Sequence, residues 1–365
     1  MRSIWMGAAA MALAACGDRA PADSGDAPSK VAVPAAAASA PTAGRTMASE
    51  TRTFRDWIVT CDNGNACVAF GPAVEGVGWT RVALDAGPDA RPTMAVGFWP
   101  DTGDQPPGPL TVAIDSVRFI ADGATDDESG QFLREPAKAV AALADSRAIS
   151  VSASGQSVAL SPSGAAAAML WIDERQVRLD TVTALVRKGP RPAAMVPAPP
   201  PLPVIVAAPA ISQTGFGDSG QTLPAAVEAT SEAKECRAET DFSPAIQKEV
   251  RSARLDSATE LWGLPCFIGA YNTGIRYFLT GPGGSNPRVI RFPTTGAPSD
   301  TLTNAEYSPG DRMISQFAKG RGVGDCGVAS TWVWTGRAFV LEKEAEMTEC
   351  WGVASDLWPT TWRSR

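Results

Sequence analysis

The chain contains no histidine, and this absence excludes more chemistry than any motif in it asserts. Histidine is the side chain whose ordinary pKa lies between pH 5 and 8, the usual general base near neutrality and the commonest metal ligand. Without it, Ser-His-Asp and Cys-His catalysis and His-based metal centres are ruled out. A basic surplus is missing too: 32 Lys and Arg stand against 39 Asp and Glu, a net charge of −7. Residues 50–188 hold 12 basic against 18 acidic side chains, and residues 225–365 hold 15 against 17. Neither half has the basic face that neutralises phosphates, so no nucleic-acid partner is expected. After residue 15 no apolar run approaches the length of a membrane span. No Cys-x-x-Cys pair occurs either, so neither a metal nor a cofactor is expected.

What the chain does carry begins with an address. Arg2 supplies a positive start, and Ile4 to Ala15 is an apolar run too short to cross a bilayer. Leu13-Ala14-Ala15-Cys16 then places small residues directly before a cysteine. This is the pattern of a bacterial lipoprotein signal peptide. The expectation is a diacylglycerol on the Cys16 thiol, cleavage before Cys16, and a further chain such as palmitate on the new amino terminus. Several chains anchor far better than one, since each buried methylene contributes about 0.8 kcal/mol. Gly17 stands where an aspartate commonly retains lipoproteins in the inner membrane. The expected location is the cell envelope, facing the periplasm, with the outer membrane favoured over the inner.

Composition divides the rest. Residues 17–49 are rich in Ala, Pro and Ser with almost no large apolar side chain, and cannot offset their ordering entropy. They read as a disordered stalk. Residues 190–209 contain eight prolines, a stiff spacer rather than part of a core. The low-complexity character extends over 189–222. The expected fold is therefore α+β with two domains, 50–188 and 223–365, each a mainly antiparallel sheet with a few helices, joined by the Pro-rich linker. In the first, Phe54 to Cys61 and Cys67 to Phe70 read as a hairpin around Asp62-Asn63-Gly64-Asn65-Ala66. Strands are expected over Trp79 to Leu84, Thr93 to Trp99, Leu110 to Ile120, Ala148 to Ala153 and Gln156 to Leu160. Helices are expected over Pro136 to Arg147 and from Ser161-Pro162 to about Arg178. In the second, helices run over Pro224 to Glu239 and from Ser243-Pro244 to about Leu255. Strands follow over Leu261 to Phe267, Gly274 to Thr280 and Val289 to Phe292. A meander of Arg312 to Lys319, Val328 to Trp334 and Ala338 to Glu344 closes the domain.

With Cys16 taken by lipid, Cys61, Cys67, Cys236, Cys266, Cys326 and Cys350 remain, an even number in an exported chain. They read as three disulfides. The linker leaves Cys61–Cys67 as one bridge. The other four have three pairings, of which the most local, Cys236–Cys266 with Cys326–Cys350, is favoured.

Several patterns touch on chemistry without establishing it. Ser231-Glu232-Ala233-Lys234 matches Ser-x-x-Lys but lacks the Ser-Asp-Asn and Lys-Thr-Gly elements of penicillin-recognising enzymes. It reads as an exposed helix face. Gly322-Val323-Gly324-Asp325-Cys326-Gly327 matches Gly-x-Gly-x-x-Gly, but a strand rather than a helix follows it, so it reads as a Gly-rich turn beside a disulfide. Lys319, Arg321 and Asp325 on that turn are candidate binding residues, its amides being able to cradle an anion. Asp126-Asp127-Glu128 lacks the spacing of a calcium loop and reads as a solvated turn. Trp332 and Trp334 share one face of a strand. With Trp351, Trp358 and Trp362 they offer either a stacking face for a glycan or peptide, which makes Trp334 a candidate binding residue, or a Trp-rich core. No pair of carboxylates is singled out for glycosidase chemistry.

Phe54-x-Asp56-Trp57-x-Val59-x-Cys61-Asp62-Asn63 with Cys67 resembles the opening of a bacterial exported family known as domain of unknown function 1176. Ile172-Asp173-x-x-Gln176-x-Arg178, Lys319-Gly320-Arg321-Gly322-x-Gly324-Asp325-Cys326-Gly327, and Cys350-Trp351-Gly352 with Trp358-Pro359 look like its later landmarks. The first half is more loosely similar to the invasion-associated locus B family. The resemblance implies an envelope location and no established activity. The expected function is a lipid-anchored envelope protein that binds another envelope protein, peptidoglycan or a glycan without catalysis. The alternative is a carboxylate-dependent cell-wall hydrolase.

Overall fold

Short runs of β-branched and aromatic residues, punctuated by Gly, Asp and Asn, fold into successive hairpins. The computed structural model describes residues 47–99, 108–126 and 129–365. The Cys16 signal, most of the stalk, and Asp127 with Glu128 lie outside the described residues. The first half contains β1 (Glu50–Phe54), β2 (Trp57–Cys61), β3 (Cys67–Pro72), β4 (Val77–Leu84), β5 (Thr93–Trp99), β6 (Leu110–Ile114), β7 (Val117–Ala124), β8 (Gln131–Leu133), β9 (Ile149–Ala153) and β10 (Gln156–Leu160). They form one antiparallel sheet in the order β1-β2-β3-β4-β5-β8-β7-β6-β9-β10. The sheet curls until Leu160 of β10 bridges Ala73 beyond β3. Trp57, Val82, Val96 and Val112 pack in one core with Leu143 of α1 (Pro136–Ala144) and Ile172 of α2 (Ala165–Arg175).

The second half opens with three short helices, α3 (Ala225–Glu228), α4 (Ser231–Glu239) and α5 (Pro244–Gln247). Thr230 caps α4 by accepting the Ala233 N–H at 3.1 Å. A second sheet holds β11 (Arg251–Arg254), β12 (Glu260–Ile268), β13 (Thr273–Thr280), β14 (Arg288–Val289) and β15 (Thr301–Thr303). A third runs in chain order through β16 (Glu306–Ser308), β17 (Met313–Lys319), β18 (Gly327–Trp334), β19 (Phe339–Met347) and β20 (Thr360–Arg363). The architecture is thus mostly antiparallel sheet with few helices.

Strand alternation gives the third sheet two apolar faces. Ile314, Trp332 and Trp334 pack with Leu261, Tyr277 and Phe292 against the second sheet. Phe317, Ala329, Ala345 and Met347 pack with Ile58, Phe70 and Trp79 of the first sheet. The third sheet is the middle layer, and all described residues fall within one compact unit, Gly44–Arg365. The Pro-rich stretch is held along the surface: Ile205 N–H donates to Arg365 O at 2.9 Å, Arg365 N–H to Pro203 O at 2.9 Å, and Ala208 N–H to Trp334 O at 2.8 Å.

The three disulfides are Cys61–Cys67, Cys236–Cys266 and Cys326–Cys350. Around the first, Asp62 Oδ1 accepts the Gly64 and Ala66 amides at 2.8 Å each, which closes the turn.

Elsewhere the elements differ from expectation for local reasons. Leu110 to Ile120 is a hairpin, not one strand: Asp115 takes a positive φ of 49° and its Oδ1 accepts the Arg147 and Ala148 amides at 3.0 Å. The expected single strand from Phe54 to Cys61 is likewise the end of one strand and all of the next, turned at Arg55 with φ 55°. Ser161 does not open α2. Its hydroxyl donates to Asp56 Oδ2 at 2.5 Å and accepts the Ser163 amide at 3.1 Å, and the helix begins at Ala165. The helix expected to reach Leu255 stops at Gln247, because Arg251–Arg254 pairs with β12 and buries Ser252 and Ala253. Tertiary pairing outweighs helix propensity there.

Candidate functional site

The landmark residues gather in two places. The first is a closed structural network. Arg178 is wholly buried and donates to Gln176 Oε1 at 2.6 Å, Thr183 Oγ1 at 3.2 Å, Asp85 O at 3.1 Å and Gly87 O at 2.6 Å. Gln176 Nε2 in turn donates to Asn65 O at 2.7 Å and Leu84 O at 3.1 Å, beside the Cys61–Cys67 hairpin. Asp173 accepts the Leu185 and Val186 amides at 2.7 and 2.9 Å. Burial raises its pKa against the pull of those amides. Such a network fixes the hairpin against α2.

The second lies where the first and third sheets meet. β17 ends at Lys319 and the chain turns through Gly320 to Asp325 before β18. Asn272 holds the start of this turn, its Nδ2 donating to Lys319 O at 2.9 Å, and Tyr271 Oη donates to Gly320 O at 3.2 Å. The Cys326–Cys350 bridge ties the turn to the segment 350–358. Arg321 Nε donates to Asp325 Oδ1 at 2.6 Å, and Nη2 donates to Asp325 Oδ2 and, at 3.1 Å, to Cys350 O. Gly352 N–H donates to Asp325 Oδ2 at 2.6 Å. Burial pushes Asp325 up, but the Arg321 hydrogen bonds and the Gly352 amide outweigh it and hold the carboxyl below the ordinary range. Asp325 in turn raises Arg321.

The same segment reaches the first sheet. Trp79 Nε1 donates to Gly352 O at 3.2 Å, and Arg81 Nε donates to Leu357 O at 3.1 Å. Gly352 has φ +82°, and a Cβ there would lie 2.5 Å from the Trp99 ring. Only glycine fits without displacing that indole. Between the halves opens a cleft of about 560 Å³, lined by Val77, Trp99, Phe317, Arg321, Val323 and Asp325, with Ser129, Gly324, Gly352, Ala354 and Ser355 completing it.

Of the candidate binding residues, Arg321 and Asp325 line this cleft. Lys319 sits at its margin, with Nζ 5.9 Å from the Phe317 ring centre. Trp334 does not belong to it: it is 1% exposed and packs on Phe339 at 5.3 Å between the second and third sheets. Trp332 and Trp358 are buried as well, at 0% and 3% exposure, so for these three the Trp-rich core is the reading that holds, while Trp351 and Trp362 are half-buried against the same clusters. The rings that do reach the cleft, Trp99 and Phe317, went unmarked in the sequence, although Gly352 beside Trp99 belongs to a landmark. Asp325, Cys326 and Cys350 place ligand atoms within 4.8 Å of one another. The two sulfurs are bonded together and Asp325 holds Arg321, so this trio offers no free thiolate to a cation. Ser231 and Lys234 lie exposed on α4, with the Ser231 hydroxyl donating to Glu232.

A relative described as an uncharacterized protein, YpfG of Escherichia coli (strain K12), is 28% identical over 341 residues, spanning 86% of this chain and 93% of the relative. No solved structure matches the chain. The profile of the family described as protein of unknown function (DUF1176) matches residues 50–365, which takes in every landmark of both networks, and the chain belongs to that family.

Proposed function

We propose that the protein is a lipid-anchored component of the bacterial envelope that binds a partner in the cleft between its first and third sheets and carries out no chemistry on it. The partner is another envelope protein, peptidoglycan or a glycan. The observation that carries this reading is the pairing of aromatic walls, Trp99 and Phe317, with an ion pair whose geometry is fixed from three sides. Pockets of about 300–1,000 Å³ with apolar walls and a few placed polar groups are the usual form of a small-ligand site. Among the described lining residues Asp325 is the sole carboxylate, and both its oxygens are engaged. That supports binding over a carboxylate-dependent hydrolase, which needs a second, opposed carboxylate.

In this reading the chain is organised as an anchored Cys16, the stalk 17–49, two docked α+β units over 50–188 and 223–365, and the Pro-rich strap 189–222. Three disulfides suit an oxidising compartment, and the outer membrane remains the favoured site. Replacing Cys16 with Ser should move the protein from the membrane to the soluble envelope fraction. The test of binding is a photo-reactive residue at Val323, which lines the cleft and is 78% exposed. It should capture a partner in intact cells that the same residue at Val182, exposed outside the cleft, does not. Identical capture from both positions would sink the cleft as the binding site.

A further inference from the structure

The charge balance and the walls of the cleft narrow what it holds, an inference that rests on the binding reading above. A guanidinium carries five N–H donors. Arg321 commits Nε and Nη2 to Asp325 and Cys350 O, while Nη1 has no hydrogen-bond partner among the described residues. The head group is thus held in one orientation at the cleft wall, with the side chain 44% exposed. Asp325 remains ionised throughout the neutral range, so the pair presents directed donors without net charge. An anion gains little from a balanced pair in a chain of net charge −7, and Lys319 adds its charge only at the margin, over the Phe317 ring. A wholly apolar ligand would strand the Nη1 donors against a surface that cannot accept from them.

The walls supply the other half of the constraint. Trp99 is backed by Gly352, and Phe317 is backed by Gly324, where a Cβ would lie 3.2 Å from the ring. Val77 and Val323 add aliphatic surface. The ligand must therefore combine a flat C–H-rich face for the rings with uncharged oxygen acceptors at its edge, and a small apolar group suits the valines. We propose that the cleft binds an uncharged N-acetylhexosamine stretch of a glycan, with a ring face on Trp99, an edge against Phe317, whose ring already meets Trp358 and Lys319, ring or acetamido oxygens on Arg321, and the acetamido methyl against valine.

The test is calorimetric titration of the full-length protein with tri-N-acetylchitotriose, with muramyl dipeptide as a charged comparison. Binding of the neutral sugar should persist at high salt. Trp99→Ala should weaken it about tenfold, the loss expected when one stacked ring is removed. Arg321→Lys should weaken it as well, because a lysine cannot keep the fixed planar fork. Since Trp99 also packs on the seam, Ser355→Trp serves as a second variant: it fills the cleft from an exposed wall position and should abolish binding with the melting temperature unchanged. No binding of the neutral sugar by the folded protein, or binding that disappears at high salt, overturns the proposal. If the sugar fails while the Val323 probe still captures a protein or peptide, the cleft survives as a binding site and only its ligand class falls. If both fail, the binding reading falls with it.

Discussion

Asp325 Oδ2 accepts the backbone N–H of Gly352 at 2.6 Å across 27 residues of chain, and Gly352 O accepts the indole N–H of Trp79 from the first sheet. One glycine residue thus joins the turn after β17 to the opposite half of the molecule. Asp325→Ala should remove the acceptor and leave Arg321 with only Cys350 O to donate to. Stranding a buried amide costs about 1–3 kcal/mol, and the half-buried Gly352 should fall at the low end of that range. The expected outcome is a lower thermal midpoint together with weaker amide-exchange protection at 350–358. Unchanged protection there would mean that the carboxylate contributes little to the seam.

The pH dependence of that link has a definite sign. Asp325 has a folded pKa below its ordinary 3.8. Its contribution to stability is therefore complete above the unfolded value and is lost as pH falls below 3.8 through the folded value. Asp62 and Asp173 behave oppositely, since burial raises both; they favour the folded state more as pH falls toward 3.8. Melting temperature against pH, compared between wild type and Asp325→Asn, isolates the effect. The two curves should converge as the pH drops below 3.8, and curves that stay parallel throughout that range would rule it out.

Much of the fold was legible because it is local. Alternating apolar residues bounded by Gly and Asp marked β5, β9 and β10 to the residue or within one, and short separations favoured the observed disulfide pairs. What the sequence hid depends on partners far along the chain. Arg251–Arg254 has no strand pattern of its own and becomes one only beside β12. The candidate site was half legible. Arg321 and Asp325 sit four apart on one turn, so their pairing is a local event. Trp99 and Gly352, more than 250 positions apart in the sequence, meet only because the third sheet packs on the first. Trp334 misled for the complementary reason. A strand with two indoles on one face announces an aromatic surface, but which layer covers it is decided by the second sheet.

Packing between the halves also changes what proteolysis should yield. The Pro-rich strap is held at Pro203, Ile205 and Ala208 by backbone hydrogen bonds, whereas the described backbone from Pro209 to Ser212 forms no such bonds to the sheets. Cleavage should fall at 209–212, between the pinned run 203–208 and the ties to β11, where Gln213 Nε2 donates to Arg254 O at 2.8 Å and the Ser252 N–H donates to Gly217 O at 2.8 Å. The two fragments should still elute together in size exclusion, held by the cluster of Ile58, Phe70 and Trp79 with Met347, Val353 and Leu357. They should separate only in denaturant. Fragments that part in native buffer would mean that the shared cluster is too weak to hold the halves.

The disulfides should differ in what they protect. Cys61–Cys67 spans 6 positions and Cys326–Cys350 spans 24, for which the chain-entropy relation gives about 2 and about 3.5 kcal/mol. The larger difference is positional. Asp62 already closes the hairpin turn through two amides, so Cys61→Ser with Cys67→Ser should lower the melting temperature modestly and leave the rest of the molecule undisturbed. The segment after Cys350 carries the Gly352 and Leu357 bonds to Trp79 and Arg81. Cys326→Ser with Cys350→Ser should therefore raise amide exchange across 350–358 and weaken whatever occupies the cleft, even where the protein remains folded. Pairing both cysteines in each variant avoids a stray thiol. Equal losses of protection in the two double variants would show that the second bridge stabilises the chain only by shortening its unfolded state, with no particular hold on the cleft.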